Sequence, residues 1–111
     1  MVKPYLPERG DIVWLSFEPS KGKEINKRRP ALVISPQKYN AKTSLALFLP
    51  ITSKIKGYPF EVQLEVQRQK GAVLCDQLRS LDWQARAAEK IETVEISILE
   101  EILTKVRLLL Y

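Results

Sequence analysis

Pro30-Ala31-Leu32-Val33-Ile34-Ser35 decides how this chain folds. The run is apolar on both faces of an extended strand, which predicts a central strand covered from two sides. Pro30 suits the first residue of such a strand, where its missing N–H disturbs no rung. On the N-terminal side, Ile12-Val13-Trp14-Leu15-Ser16-Phe17 is rich in branched and aromatic residues and reads as another strand. Its side chains alternate, Ile12, Trp14 and Ser16 on one face and Val13, Leu15 and Phe17 on the other. Gly10-Asp11 marks a turn before it, and Glu18-Pro19-Ser20-Lys21-Gly22 breaks it. A long, mostly cationic loop then runs to Arg28.

On the C-terminal side, Pro36 to Lys42 reads as a connector with about one helical turn, Pro36 in the first helical position. Leu45 to Thr52 is a third strand, in which Pro50 predicts an edge or a bulge. Ser53 to Pro59 is a second basic loop. Phe60 to Val66 alternates apolar and polar residues, as a strand with one wet face does, and Gly71 to Cys75 is a fifth strand. Asp76 to Asp82 and Ala85 to Ile91 give one or two more short strands. The period then changes. Ile98, Leu99, Ile102, Leu103, Val106, Leu109 and Leu110 recur at helical spacing, which predicts an amphipathic helix from Ile96 to Leu109. Ser97-x-x-Glu100 has the form of a capping box, and the apolar stripe is expected to lie as a lid over an open barrel end or to extend into a dimer contact. Short strands followed by one terminal helix predict a mainly β, small, curled antiparallel barrel formed as a single domain over residues 1–111.

Charge is distributed unevenly. The chain holds eighteen Lys+Arg against thirteen Asp+Glu. The window Ile25–Phe60 has no acid but holds Lys27, Arg28, Arg29, Lys38, Lys42, Lys54 and Lys56, so the whole positive surplus sits there. A field so concentrated attracts polyanions, nucleic acid first among them. Histidine is absent, which excludes Ser-His-Asp triads, Cys-His pairs and paired-histidine nuclease chemistry. With one cysteine, a zinc site is not expected, nor is any other metal or cofactor. Cys75, beside Val73 and Leu74, reads as a buried small hydrophobe. The N-terminal residues do not resemble a signal peptide and no run is long enough to cross a bilayer, so a soluble cytoplasmic protein without membrane contact is expected.

Several blocks taken together resemble one family. They are Gly10-Asp11-Ile12-Val13-Trp14, Phe17-Glu18-Pro19-Ser20-Lys21-Gly22-x-Glu24 and Arg29-Pro30-Ala31-Leu32-Val33-Ile34-Ser35-Pro36. Tyr39-Asn40, Pro50-Ile51-Thr52, Lys56-Gly57-Tyr58-Pro59-Phe60 and Asp76-Gln77-x-Arg79-Ser80 follow in the same order. The chain resembles the MazF/PemK (Kid) toxins over almost its whole length. The resemblance implies an SH3-like, CcdB/PemK-like barrel with a C-terminal helix, usually a homodimer. It also implies a sequence-specific endoribonuclease that cuts single-stranded RNA, mainly mRNA, without metal, held in check by a cognate antitoxin. That antitoxin is expected to be acidic and partly disordered, and DNA would be met only through it.

By motif, the resemblance places the catalytic arginine at Arg29 and the catalytic threonine at Thr52, with Glu24 at an acidic loop position read either as a base or as a loop charge. Arg28 stands where a close family pattern has histidine, so which of the paired arginines meets the phosphate stays open. RNA brings its own nucleophile, the 2′-hydroxyl. An enzyme without metal or histidine must then supply charge stabilisation and alignment. A guanidinium fork can hold two phosphate oxygens at once but does not readily lose a proton, which favours Arg29 as stabiliser and donor over base. Lys21, Lys27, Arg28, Lys54 and Lys56 are expected to draw in the RNA backbone, and the Gln77 amide to meet a base edge. Phe17 is read either as a base-stacking aromatic or as a core residue, while Trp14 and Trp83 are read as packing residues. Two other readings compete: a non-catalytic CcdB-like toxin that binds DNA gyrase, and a passive RNA-binding barrel. The first is disfavoured because no tryptophan follows Trp83.

Overall fold

A computed structural model describes residues 5–17 and 28–111. Seven strands and two helices follow one another: β1 (Asp11–Ser16), β2 (Arg28–Val33), α1 (Gln37–Thr43), β3 (Leu45–Thr52), β4 (Glu61–Val66), β5 (Gln69–Leu74), β6 (Arg79–Asp82), β7 (Glu89–Thr93) and α2 (Ile96–Leu108). The strands form one antiparallel sheet ordered β4-β5-β3-β2-β1-β7, with β6 paired to β3. The sheet curls into a half-barrel in which β4 and β7 end the main strand path and β6 pairs on one side only.

The expected strand alternation divides the core in two. Val13, Leu15, Phe17, Ala31, Val33, Phe48 and Trp83 fill one cluster. Ile12, Leu32, Leu49, Ile51, Val62, Leu64 and Val73 fill the other, which α2 covers with Leu99, Ile102 and Val106. Each of these large aliphatic side chains contributes roughly 1.5–3 kcal/mol by leaving water. The helix therefore seals one face of the sheet. β2 is central, as its two-sided apolar pattern predicts: Leu32 enters one cluster, Ala31 and Val33 the other.

The local geometry departs from expectation in five places. β2 begins at Arg28, two residues before Pro30, because Ser16 and Leu15 pair with Arg28 and Arg29. The β2–β3 ladder starts only at Ala31, so Pro30 costs no rung on that side. Pro50 lies inside a central strand, not an edge. It sits between Phe48, the last residue paired to β6, and Ile51, the first paired to β5, where β3 changes partner. Pro36 is the N-cap of α1, and Glu95 caps α2 without a side-chain hydrogen bond, so Ser97 lies inside the helix. Finally, Val66 pairs with Gln69, leaving Gln67 (φ 51°) and Arg68 (φ 68°) as a two-residue turn in the left-handed region.

Candidate functional site

β2 and β3 run antiparallel, which brings the start of one beside the end of the other. Arg29 and Thr52 therefore border one hollow of about 370 Å3, together with Trp14, Lys54, Gln67 and Lys70. A second hollow of about 440 Å3 is lined by Thr52, Lys54, Lys56, Tyr58, Glu61 and Gln77. Thr52 and Lys54 belong to both, so the two form one groove from Arg29 to Gln77. The fold thus brings together Arg29, Thr52, Lys54, Lys56 and Gln77, five residues that the sequence reading nominated.

The adjacent arginines do different things. Strand alternation sends Arg28 to the other side, where Nη1 donates to Glu89 Oε1 at 2.8 Å and Nη2 donates to the Ala87 carbonyl at 2.6 Å. Arg28 is thereby tied to the β7 end of the sheet and is not among the residues that line the groove. Arg29 is exposed and has no hydrogen-bond or ion-pair partner among the described residues. Of the two readings of Phe17, the core one fits: it is only 9% exposed, belongs to the cluster with Val13, Leu15 and Trp83, and has Arg79 over its ring at 5.5 Å. That burial leaves it no open face for a base. Lys21, Glu24 and Lys27 lie outside the described residues.

Thr52 is held from two sides. Its Oγ1 accepts the Lys54 N–H at 3.0 Å, which leaves the hydroxyl proton free to donate. Beneath it, Gly71 approaches so closely that a Cβ would meet the Thr52 carbonyl at 3.0 Å and Ile51 Cγ2 at 3.3 Å. The loop carrying Lys54 and Lys56 is anchored by Glu61, whose carboxylate accepts N–H bonds from Lys56 (3.1 Å) and Gly57 (2.8 Å). Tyr58 closes the other side by donating to Asp76 Oδ1 at 2.7 Å. That hydrogen bond, with some burial and the Asp76 charge, pushes its phenol up to about 12. Cys75 is fully buried, and burial pushes its thiol up to about 11, as suits an inert core residue.

Sequence reasoning missed Trp14, Gln67, Gln69 and Lys70, which also line the Arg29 hollow. Trp14 is half-buried and joins neither core cluster, lining the hollow instead. The signal that could have found the others was the polar run Gln67-Arg68-Gln69-Lys70 between two apolar strands. A third hollow, about 450 Å3, is of similar size to the second but is lined by Glu65, Glu92 and Glu95 against the single cation Lys70. Carboxylates repel a polyanion, so charge and not volume selects the site.

A half-barrel closed on one face by a terminal helix, with an arginine–threonine–lysine groove between strand ends, defines a β protein built to hold a polyanion. A family model described as "PemK-like, MazF-like toxin of type II toxin-antitoxin system" matches residues 8–110, and the chain belongs to that family. It is 46% identical over 110 residues to the endoribonuclease toxin MazF of Escherichia coli K12, covering 99% of each chain. It is 32% identical over 108 residues to the endoribonuclease PemK of Escherichia coli, covering 93% of this chain and 81% of that protein. Its fold superposes on a crystal structure of MazF from Deinococcus radiodurans with a TM-score of 0.84 at 46% identity, covering 96% of this chain and 98% of that one. A MazE–MazF structure from the same organism gives a TM-score of 0.84 at 44% identity, covering 96% and 97%. Among the described residues, no helix is long and apolar enough to cross a membrane.

Proposed function

We propose that this chain acts as a single-domain, sequence-specific endoribonuclease toxin that cuts single-stranded RNA, mainly mRNA, without a metal ion and so inhibits translation. The observation that carries this is the shared hollow of Arg29 and Thr52, with Arg29 unengaged among the described residues while Arg28 is held by Glu89 and Ala87.

In this reading the ribose 2′-oxygen attacks the adjacent phosphorus as the phosphorus–5′-oxygen bond breaks. The attacking hydroxyl gives up its proton and the departing 5′-oxygen takes one, leaving a 2′,3′-cyclic phosphate and a 5′-hydroxyl. Arg29 holds two non-bridging oxygens in its fork as negative charge grows on them. Thr52 donates its free hydroxyl proton to one of those oxygens and fixes the phosphate against the strand end. One preorganised donor of this kind lowers a barrier by roughly 3–4 kcal/mol. Glu24 stays the candidate base on the family resemblance. Lys54, Lys56 and Lys70 draw in the backbone at a strength that falls with salt.

Relatives solved as MazE–MazF complexes support a cognate antitoxin for this chain. An acidic, partly disordered segment of it would suit the basic groove and would provide the only link to DNA. A homodimer in the bacterial cytoplasm completes the proposal.

The test is incubation of purified protein with a long single-stranded RNA of known sequence, with and without EDTA. Discrete cuts at one short motif in both reactions are expected. Intact RNA, or a requirement for magnesium, would overturn the proposal; binding without cuts would identify a passive RNA-binding barrel.

A further inference from the structure

The Arg29 hollow holds more than a phosphate requires. Trp14 emerges from β1 opposite Pro30 and is one of its walls. Gln67 and Gln69, from the β4–β5 turn, stand across the same space. Gln67 is fixed there by its backbone, since its N–H donates to Glu92 Oε2 at 3.1 Å and its φ is positive. Lys54 and Lys70 add cations at the rim. An indole face, two side-chain amides and two ammonium groups form a set that matches a nucleobase with its phosphates. The indole supplies a stacking surface that every base can use. The amides supply donors and acceptors for a base edge, which alone distinguish one base from another. At about 370 Å3 the space is of the size that holds a small ligand.

We infer that this hollow is a nucleobase subsite for the nucleotide flanking the cut, with Trp14 as its stacking platform and Gln67 and Gln69 as residues that set base preference there. The inference rests on the endoribonuclease proposal, because it takes Arg29 and Thr52 to hold the scissile phosphate next door. The tryptophans separate the claim from ordinary packing. Trp83 is 8% exposed and donates Nε1 to the Asn40 carbonyl at 3.0 Å, so it serves as an internal reference that no ligand touches.

The experiment titrates the wild-type protein with a mixed-sequence all-deoxy oligonucleotide, which can bind but lacks the nucleophile, while tryptophan emission is recorded. Quenching is expected in the wild type and is expected to vanish in Trp14→Leu, which keeps apolar bulk and loses the indole. Binding by Trp14→Leu should weaken roughly ten- to hundred-fold, the range of one base–aromatic stack, and Trp14→Phe should restore most of it. Gln67→Ala and Gln69→Ala should broaden the cleavage motif at one flanking position while the other positions hold. Unchanged emission at saturating oligonucleotide would overturn the subsite, even if Trp14→Leu proves too unstable to measure. So would wild-type affinity in a folded Trp14→Leu protein. If the wild type quenches on binding but cuts no RNA, the nuclease proposal fails and the base-binding hollow stands.

Discussion

The two ends of the β2–β3 pair treat polar groups in opposite ways. At the end where β2 leaves and β3 begins, the buried Ser35 and Asn40 side chains are matched. Asn40 Nδ2 donates to the carbonyls of Pro7 (2.8 Å) and Ser35 (3.1 Å), Ser35 Oγ donates to Asn40 Oδ1 (2.5 Å), and the Leu47 N–H donates to Ser35 Oγ (2.9 Å). Trp83 completes the set, and Asn40 is fully buried. At the other end Arg29 and Lys54 stand in the open and, among the described residues, have no side-chain partner. A satisfied buried network stiffens the strand pair, and that stiffness holds the unsatisfied end in position for a ligand. Stability sits at one end of two strands and function at the other.

The comparison can be broken most sharply at Arg29. Arg29→Ala should lower the cleavage rate by about a hundred- to a thousand-fold and leave the melting temperature nearly unchanged, because nothing described leans on that side chain. Differential scanning fluorimetry and a fluorogenic RNA check both halves. At the opposite end, Asn40→Ala should do the reverse. It strands the Ser35 hydroxyl and two carbonyls in the core, which costs about 2–4 kcal/mol and lowers the melting temperature by roughly 10 °C, while cleavage per folded molecule holds. Gly71→Ala sharpens the link between the ends. Its Cβ would displace the Thr52 backbone, so the turnover number should fall roughly ten-fold with KM little changed, read by steady-state kinetics. Arg28→Ala should produce the smallest activity change, a few-fold at most. Its partner Glu89 is 66% exposed, so the stability loss should stay near 1 kcal/mol or below in urea unfolding.

Alkaline pH tests the packed region through Cys75. Burial raises its thiol from 9.0 to about 11. The folded protein holds that proton more tightly than the unfolded chain does. Its contribution is therefore complete below pH 9 and is lost as pH climbs through 11. Urea midpoints should be flat from pH 7 to 8.5 and fall beyond it.

Much of this was legible because it depends on local period. Alternation in Ile12–Phe17 and Phe60–Val66 placed strands, and three-four spacing from Ile98 to Val106 placed α2 to within a residue. Arg29, Thr52, Lys54, Lys56 and Gln77 were nominated by motif and charge, and the fold gathers them. What escaped depends on curl and on distant pairing. Arg28 and Arg29 look alike in sequence, and only the register with β1 and the position of Glu89 separate them. Trp14 looks like any core aromatic until the β4–β5 turn arrives beside it. That turn uses Gln67 and Arg68 in the left-handed region with no glycine or asparagine to announce it. For Phe17, motif adjacency left the stacking and core readings open, and its burial beneath the Arg79 side chain favours the core.

The central claim is that the Arg29 guanidinium at one strand junction stabilises a phosphodiester while its own ribose hydroxyl displaces the next nucleotide. A DNA oligonucleotide with a single ribonucleotide at the mapped cut, incubated with the protein in EDTA, tests it most directly through the chemistry of the two new ends. The account predicts a 2′,3′-cyclic phosphate and a 5′-hydroxyl, with the all-deoxy control left whole. A 5′-phosphate end, or scission of the control, would contradict it.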